Sequence, residues 1–286
     1  MNIIGIDLGG TNIEAGIVSD GKLLSSVKIS TEAEKGKAKV LENIFSAVES
    51  VKKEADISGI GVGIPGLVKN GKIYDIPNIS CLKNTNIKKE LEKRFKVKTD
   101  VLNDAKCFIL GEHKFDAAKG KKNVIGLTLG TGVGGGIIIN DELYLGTGSA
   151  GELGHMIIVE RGDLCSCGKK GCLEAYIGKD AIMNRYEKLT GNKKDVDEIS
   201  KEHSKAAKRT LAETGRYLGI GLANIVNIFA PEMIVLGGGI SNSKQIISSA
   251  IKEMRKTAFR LPASKVKIVK SRLKSAAVLG AASLIS

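Results

Sequence analysis

Two stretches of this chain repeat one pattern. At residues 3–18 an apolar strand ending in Asp7-Leu8 runs into Gly9-Gly10-Thr11 and out into a second apolar strand. At residues 124–139 the sequence Val-Ile-Gly-Leu-Thr-Leu runs into Gly130-Thr131-Gly132 and again out into a strand. A two-residue turn follows each unit, Asp20–Gly21 in the first and Asn140–Asp141 in the second, and leads into a further strand. Such pairs reverse a chain tightly because both residues tolerate left-handed backbone. The first unit therefore predicts three consecutive antiparallel strands. A duplication of this kind points to an α/β protein with two similar lobes, and it is not a short-period repeat array.

The remaining segments fit that architecture. Residues 38–53 place Val40, Leu41, Ile44, Val48 and Val51 on one helical face. The apolar strand Gly-Ile-Gly-Val-Gly-Ile ends at Pro65-Gly66, which forces a loop. A helix near 86–95 precedes a strand at 97–102, and Asn103–Asp104 close that strand ahead of another helix. Lys-Gly-Lys-Lys at 119–122 reads as a crossing between halves. Helical periodicity spans about 202–229 and stops before Pro231. A strand into Gly237-Gly238-Gly239, a helix at 241–258, a short strand and an apolar segment at 275–285 complete the chain. The expected lobes are residues 1–118, with 275–286 packing back on them, and residues 119–274. Ligands are expected in a cleft between the two.

Composition narrows the function classes. At 286 residues the chain can bury a core without disulfides. No apolar run reaches the ~18 residues of a membrane span, and Met1 leads straight into a strand, not a secretory signal. The expected location is the cytoplasm, with no membrane partner. The net charge of +13 is uneven: 119–286 hold most of the excess. Their lysines are scattered and nearly free of interleaved aromatics, which reads as a solvated surface and not as a nucleic-acid interface.

Five constellations carry chemistry. Glycines in a turn let backbone N–H groups face phosphate oxygens, and Thr11 adds a hydroxyl. Asp7 beside that turn is a candidate Mg2+ holder. Thr131 and Gly132 repeat the device, and two such loops in equivalent places suggest a nucleotide's phosphates gripped from both sides. Neither loop is a Walker A or a dinucleotide fingerprint, since no Gly-Lys-Ser/Thr follows and each leads into a strand. Gly238 stands in a third glycine turn ahead of a helix. His155 with Cys165, Cys167 and Cys172 offers one imidazole and three thiolates in a glycine-rich knuckle, the donor set of a closed structural zinc site. Asn78, Asn103, Asp104, Glu152, His155 and Glu174 are the carboxylates, amides and imidazole that polyhydroxyl recognition uses. Asp104 is a candidate general base, although Asn103–Asp104 also read as a plain helix cap.

These residues resemble the ROK family of sugar kinases and sugar-responsive repressors, within the actin, Hsp70 and hexokinase superfamily. The matching stretches include Ile-Asp-Leu-Gly-Gly-Thr-Asn, Asn-Asp-Ala, Gly-Glu-Leu-Gly-His and Cys-Ser-Cys-Gly-Lys-Lys-Gly-Cys-Leu-Glu, in family order from residue 3 to 281. The resemblance implies a two-lobed, ribonuclease H-like α/β fold. It implies ATP-dependent transfer of phosphate to the 6-hydroxyl of a hexose, glucose first and N-acetylmannosamine or N-acetylglucosamine as alternatives. It makes Asp104 the base and Gly66, Asn78, Asn103, Glu152, His155 and Glu174 the sugar ligands. Asp7, Gly9, Gly10, Thr11, Thr131, Gly132 and Gly238 become nucleotide contacts. His155, Cys165, Cys167 and Cys172 become zinc ligands, and a homodimer or homotetramer is implied. The repressors carry a DNA-binding helix-turn-helix ahead of the kinase-like body, and a phosphate turn as early as Asp7 favours the kinase branch. Lys106 departs from the family, where asparagine often stands.

Overall fold

The computed structural model describes residues 1–285; Ser286 lies outside them. Contacts divide the chain into two units. The first comprises Met1–Gly120, Gly136–Ala150 and the segment from Arg272 onward, and the second Lys121–Gly135 with Gly151–Ser271. Among the described residues no helix is long and apolar enough to cross a membrane.

The first unit opens with β1 (Asn2–Leu8), β2 (Asn12–Ser19) and β3 (Lys22–Ser30), paired antiparallel. Asp20 and Gly21 both have positive φ, 49° and 74°, so the turn between β2 and β3 has the hand that suits twisted strands. Helix α1 (Lys37–Lys52) buries Val40, Asn43, Ile44, Ala47, Val48 and Val51, leaving Leu41 half-buried at the edge of that face. Strand β4 (Gly59–Ile64) lies parallel to β1 and is buried throughout. A hairpin of β5 (Leu67–Lys69) and β6 (Lys72–Asp75) follows, then α2 (Ile87–Phe95). Strand β7 (Lys98–Asn103) joins β4 in parallel and passes directly into α3 (Asp104–Phe115), giving the sheet order β3-β2-β1-β4-β7.

The second sheet has the order β10-β9-β8-β11-β12. Its strands begin with β8 (Val124–Leu129), β9 (Val133–Ile139) and β10 (Glu142–Leu143). Residues 136–150 group with the first unit, whereas the expected boundary at the lysine run of 119–122 put all of 119–274 in the second half. The reason is visible in α3: Lys106 Nζ donates to the Gly148 carbonyl at 2.8 Å, and His113 Nε2 lies 3.4 Å from Asp141. The second unit continues with α4 (Glu174–Ile177), α5 (Lys179–Thr190), α6 (Val196–Lys201) and the long α7 (Lys205–Phe229). Ser204 caps α7 by accepting from Ala207 N, and the helix ends before Pro231, which cannot continue it. Strand β11 (Met233–Gly237) pairs parallel to β8 and to β12 (Lys267–Lys270), with α8 (Lys244–Thr257) and α9 (Arg260–Lys265) in the connection.

The chain closes with α10 (Ala276–Ala282), which packs in the first unit. Strand β4 alternates glycine with isoleucine or valine, so its two faces differ. The branched side chains of Ile60, Val62 and Ile64 share one core with Val40, Ile44 and Val48 of α1. The other face is flat, and α10 lies against it backbone to backbone. A Cβ built on Gly61 would stand 1.8 Å from the Ala281 carbonyl oxygen, and one on Gly5 2.0 Å from that of Val278. Leu279 and Ala282 add an apolar cluster with Val18. Overpacking of a rigid backbone contact costs more than a displaced side chain. Gly61→Ala is therefore expected to lower unfolding stability by about 3 kcal/mol in a urea titration.

Candidate active site and metal-binding cluster

The polar groups of the first unit collect at the ends of β1, β4 and β7. Asp7 sits near the end of β1, in register with Glu14 of β2 and Gly63 of β4. The turn after it is fixed from two sides: Gly9 N donates to the Asn12 carbonyl at 2.9 Å, and the buried Thr31 Oγ1 donates to the Gly9 carbonyl at 2.7 Å. Thr31 N also donates to the Thr11 carbonyl. Thr11 itself is exposed, as a ligand-facing hydroxyl requires. Asn78 lies beside this turn, its Cβ 2.8 Å from where a side chain on Gly10 would begin.

Asn103 ends β7 and caps α3. Its Oδ1 accepts from Lys106 N at 3.2 Å, and its Nδ2 donates to the Gly66 carbonyl at 3.3 Å. The cap reading of Asn103 is thus correct in structure, and the same side chain ties Gly66 to the start of the helix. Asp104 is the first residue of α3, half-buried, with Oδ1 accepting from Ala105 N at 2.8 Å. Burial pushes the Asp7 carboxyl from 3.8 up to about 7, with the charges of Asp104 and Glu14 adding to the shift and Lys28 opposing it. Two carboxylates in one another's field and partly out of water resist joint ionisation and favour a cation. Lys106 is buried and tied to Gly148.

In the second unit Gly130 N donates to the Gly132 carbonyl at 3.0 Å, the counterpart of the Gly9 turn. The start of α5 pins this loop, since Lys179 N donates to the Gly130 carbonyl. Thr131 is exposed. Gly238, with φ of 80°, follows β11, and a Cβ there would meet the Leu129 carbonyl at 2.2 Å, so the third glycine turn lies against the end of β8. A one-turn 3-10 helix, Gly239–Asn242, follows it before α8 begins.

Glu152 and His155 flank a 3-10 turn, Leu153–His155, with His155 N donating to the Glu152 carbonyl. In that geometry positions three apart eclipse, so the pair shares a face more closely than in an α-helix. The donor atoms of His155, Cys165, Cys167 and Cys172 all lie within 4.8 Å of one another. His155 Nδ1 is 3.7 Å from Cys165 Sγ, and Cys167 Sγ is 3.7 Å from Cys172 Sγ. Ligands ~2.0–2.3 Å from a tetrahedral centre stand roughly 3.3–3.8 Å apart, so the cluster fits one metal ion. Burial, with the neighbouring thiols, pushes Cys172 up to about 12, so metal binding would have to release protons there. Glu174, at the start of α4, joins this knuckle to the glycine loop. Its Oε1 accepts from Ser166 Oγ at 2.6 Å and its Oε2 from Val133 N at 2.8 Å. Sequence reasoning misses Thr31, a lone hydroxyl without a motif around it, and Ser166, which sits between two cysteines of the knuckle where the thiols carry the pattern.

A duplicated strand–glycine turn–strand unit, each turn held by a neighbouring element, defines the actin-like two-lobed class of α/β proteins. Within that class the chain belongs to the ROK family, whose sequence model matches residues 3–286. A glucokinase of Thermotoga maritima is 33% identical over 309 residues, spanning 100% of this chain and 97% of that protein. The crystal structure of a ROK family glucokinase from Streptomyces griseus, in complex with glucose and AMPPNP, superposes with a TM-score of 0.88 at 30% identity, covering 100% of this chain and 99% of that one. The ROK hexokinase from Thermus thermophilus superposes with a TM-score of 0.86 at 32% identity, covering 99% and 97%.

The raised Asp7 carboxyl predicts a pH effect in metal-free protein. The folded state holds the proton more tightly than the unfolded chain, so the penalty that Asp7 puts on the fold builds as pH rises from about 4 to about 7 and is constant above that. Asp7→Asn is expected to raise unfolding stability at pH 8 by up to about 4 kcal/mol, with the gain vanishing near pH 4.

Proposed function

We propose that this chain is an ATP-dependent hexose kinase that transfers the γ-phosphoryl group to the 6-hydroxyl of its sugar. The observation that carries this reading is the Asp7–Asp104 carboxylate pair at the strand ends of the first unit, next to the Gly9–Thr11 turn. Phosphoryl transfer needs alignment and neutralisation of charge more than covalent help. The backbone of Gly9 and Gly10 with Thr11, and that of Gly132 with Thr131, would hold phosphates, and Gly238 would lie against the nucleoside. Mg2+ held at Asp7 would supply the positive charge that two carboxylates and a triphosphate demand together.

Asp104 would accept the proton of the sugar hydroxyl as the new P–O bond forms and the bond to ADP breaks. Ala105 N donates to one of its oxygens and so fixes its rotamer. Gly66, Asn78, Asn103, Glu152, His155 and Glu174 are assigned to the sugar. Asn103 and Glu174 already have fixed partners within the protein, which preorganises them. The metal at His155, Cys165, Cys167 and Cys172 is assigned as structural zinc, with His155 Nδ1 towards the thiolates and Nε2 free for a hydroxyl.

Glucose is the first acceptor on this reading, with N-acetylmannosamine and N-acetylglucosamine next. A coupled ATPase assay over hexoses and N-acetylhexosamines tests it; turnover independent of every sugar would refute it. Asp104→Asn is expected to lower kcat by at least ~100-fold while sugar binding by calorimetry stays near that of the parent. Elemental analysis is expected to find about one zinc per chain, and Cys172→Ser or a chelator should remove it and lower the melting temperature.

A further inference from the structure

One end of the second unit carries a charge pattern that the kinase reading does not use. Residues 252–270 contain Lys252, Arg255, Lys256, Arg260, Lys265, Lys267 and Lys270 against a single acid, Glu253, and all seven basic residues are exposed. Among the described residues none of the seven is in an ion pair with a carboxylate within 4.0 Å. The nearby Glu232 is already taken up by Lys121 and by the backbone N–H groups of Lys122 and Asn123.

Among these cations three large apolar side chains stand in water: Phe259 is 76% exposed, Leu261 62% and Ile228 67%. They are neighbours, because Phe259 N donates to Asn227 Oδ1 at 2.8 Å and so locks the start of α9 to the end of α7. The patch lies where α7 leads into β11 and α9 into β12, at the N-terminal ends of those parallel strands. The Gly130–Gly132 loop and Gly238 follow the opposite ends of β8 and β11. A ligand on one end would leave the other open.

We propose that this patch docks the protein on an anionic membrane surface, with Phe259, Leu261 and Ile228 entering the headgroup boundary and the cations from Lys252 to Lys267 facing acidic lipid, Lys270 lying at the other end of β12. Basic residues around a few protruding apolar side chains are what such surfaces bind, the charges attracting from a distance and the apolar tips holding. A second copy of this chain is a poor occupant, since a two-fold contact would set six cations against six. Nucleic acid would leave Leu261 and Ile228 without a partner, and only Phe259 could stack on a base.

Sedimentation of the whole chain with phosphatidylcholine vesicles, with and without phosphatidylglycerol, tests the proposal at physiological salt. Binding is expected only where phosphatidylglycerol is present. The Phe259→Ser/Leu261→Ser variant should weaken it at least ~10-fold, and Lys256→Glu/Arg260→Glu/Lys265→Glu about 100-fold. Both variants alter exposed residues and should keep the parent's melting temperature. Equal sedimentation without the acidic lipid, or binding that neither variant weakens, would overturn the assignment. So would double-stranded DNA binding that survives Phe259→Ser/Leu261→Ser, or an oligomer in light scattering that this variant dissociates.

Discussion

An aspartate largely withdrawn from water near the end of a central strand, in the field of a second aspartate, is the constraint around which the first unit arranges its polar groups. Like charges in a medium of low dielectric constant strengthen one another's cost. The fold meets that cost only in part. Lys28 acts on Asp7 from β3, and Asp104, as the first residue of α3, accepts from Ala105 N at the positive end of that helix. What is left over is a local demand for positive charge beside an open glycine turn. A phosphate-bound divalent cation satisfies that demand, and a protein lacking such a ligand carries it as reduced stability above neutral pH.

The second unit solves a different problem, that of holding a short glycine loop still. Glycine turns have little side-chain packing of their own, and here the restraint comes from outside. Glu174 grips Val133 N with one oxygen and Ser166 of the cysteine knuckle with the other. The start of α5 grips Gly130. Folding of the knuckle is thereby coupled through two hydrogen bonds to the loop assigned to phosphate, although the cysteines and that loop are far apart in sequence. A metal ion need not touch a substrate to matter for it.

Patterned segments were legible in the sequence because their physics is local. The Asp20–Gly21 and Asn140–Asp141 turns, the face of α1 and the strand ends at Asn103 all follow from backbone preference and periodicity. The cysteine cluster was legible from spacing alone. Long-range partners were not. Nothing near Thr31 announces that its hydroxyl fixes a turn more than twenty residues earlier, and nothing in Lys106 announces Gly148. The grouping of 136–150 with the first unit depends on those side-chain contacts. The glycine alternation in β4 was read only as apolarity, and its meaning depends on a helix from the other end of the chain. The cations of 252–267 look scattered as letters and come to one end of the second unit only because α8 ends, α9 runs and β12 begins there.

The contact of α10 with the bare face of β1 and β4 has a consequence for biosynthesis. The strands of the first unit leave the ribosome early, yet the helix that shields their glycine side from water is made after every residue of the second unit. Until then Gly5 and Gly61 border an open slot lined by backbone, although Ile4, Ile6, Ile60 and Val62 on the other face can already pack with α1. The half that is translated first is therefore the half completed last, and nascent chains stalled ahead of Ala276 would present an unfinished sheet to chaperones and proteases while their Gly151–Ser271 portion is already whole.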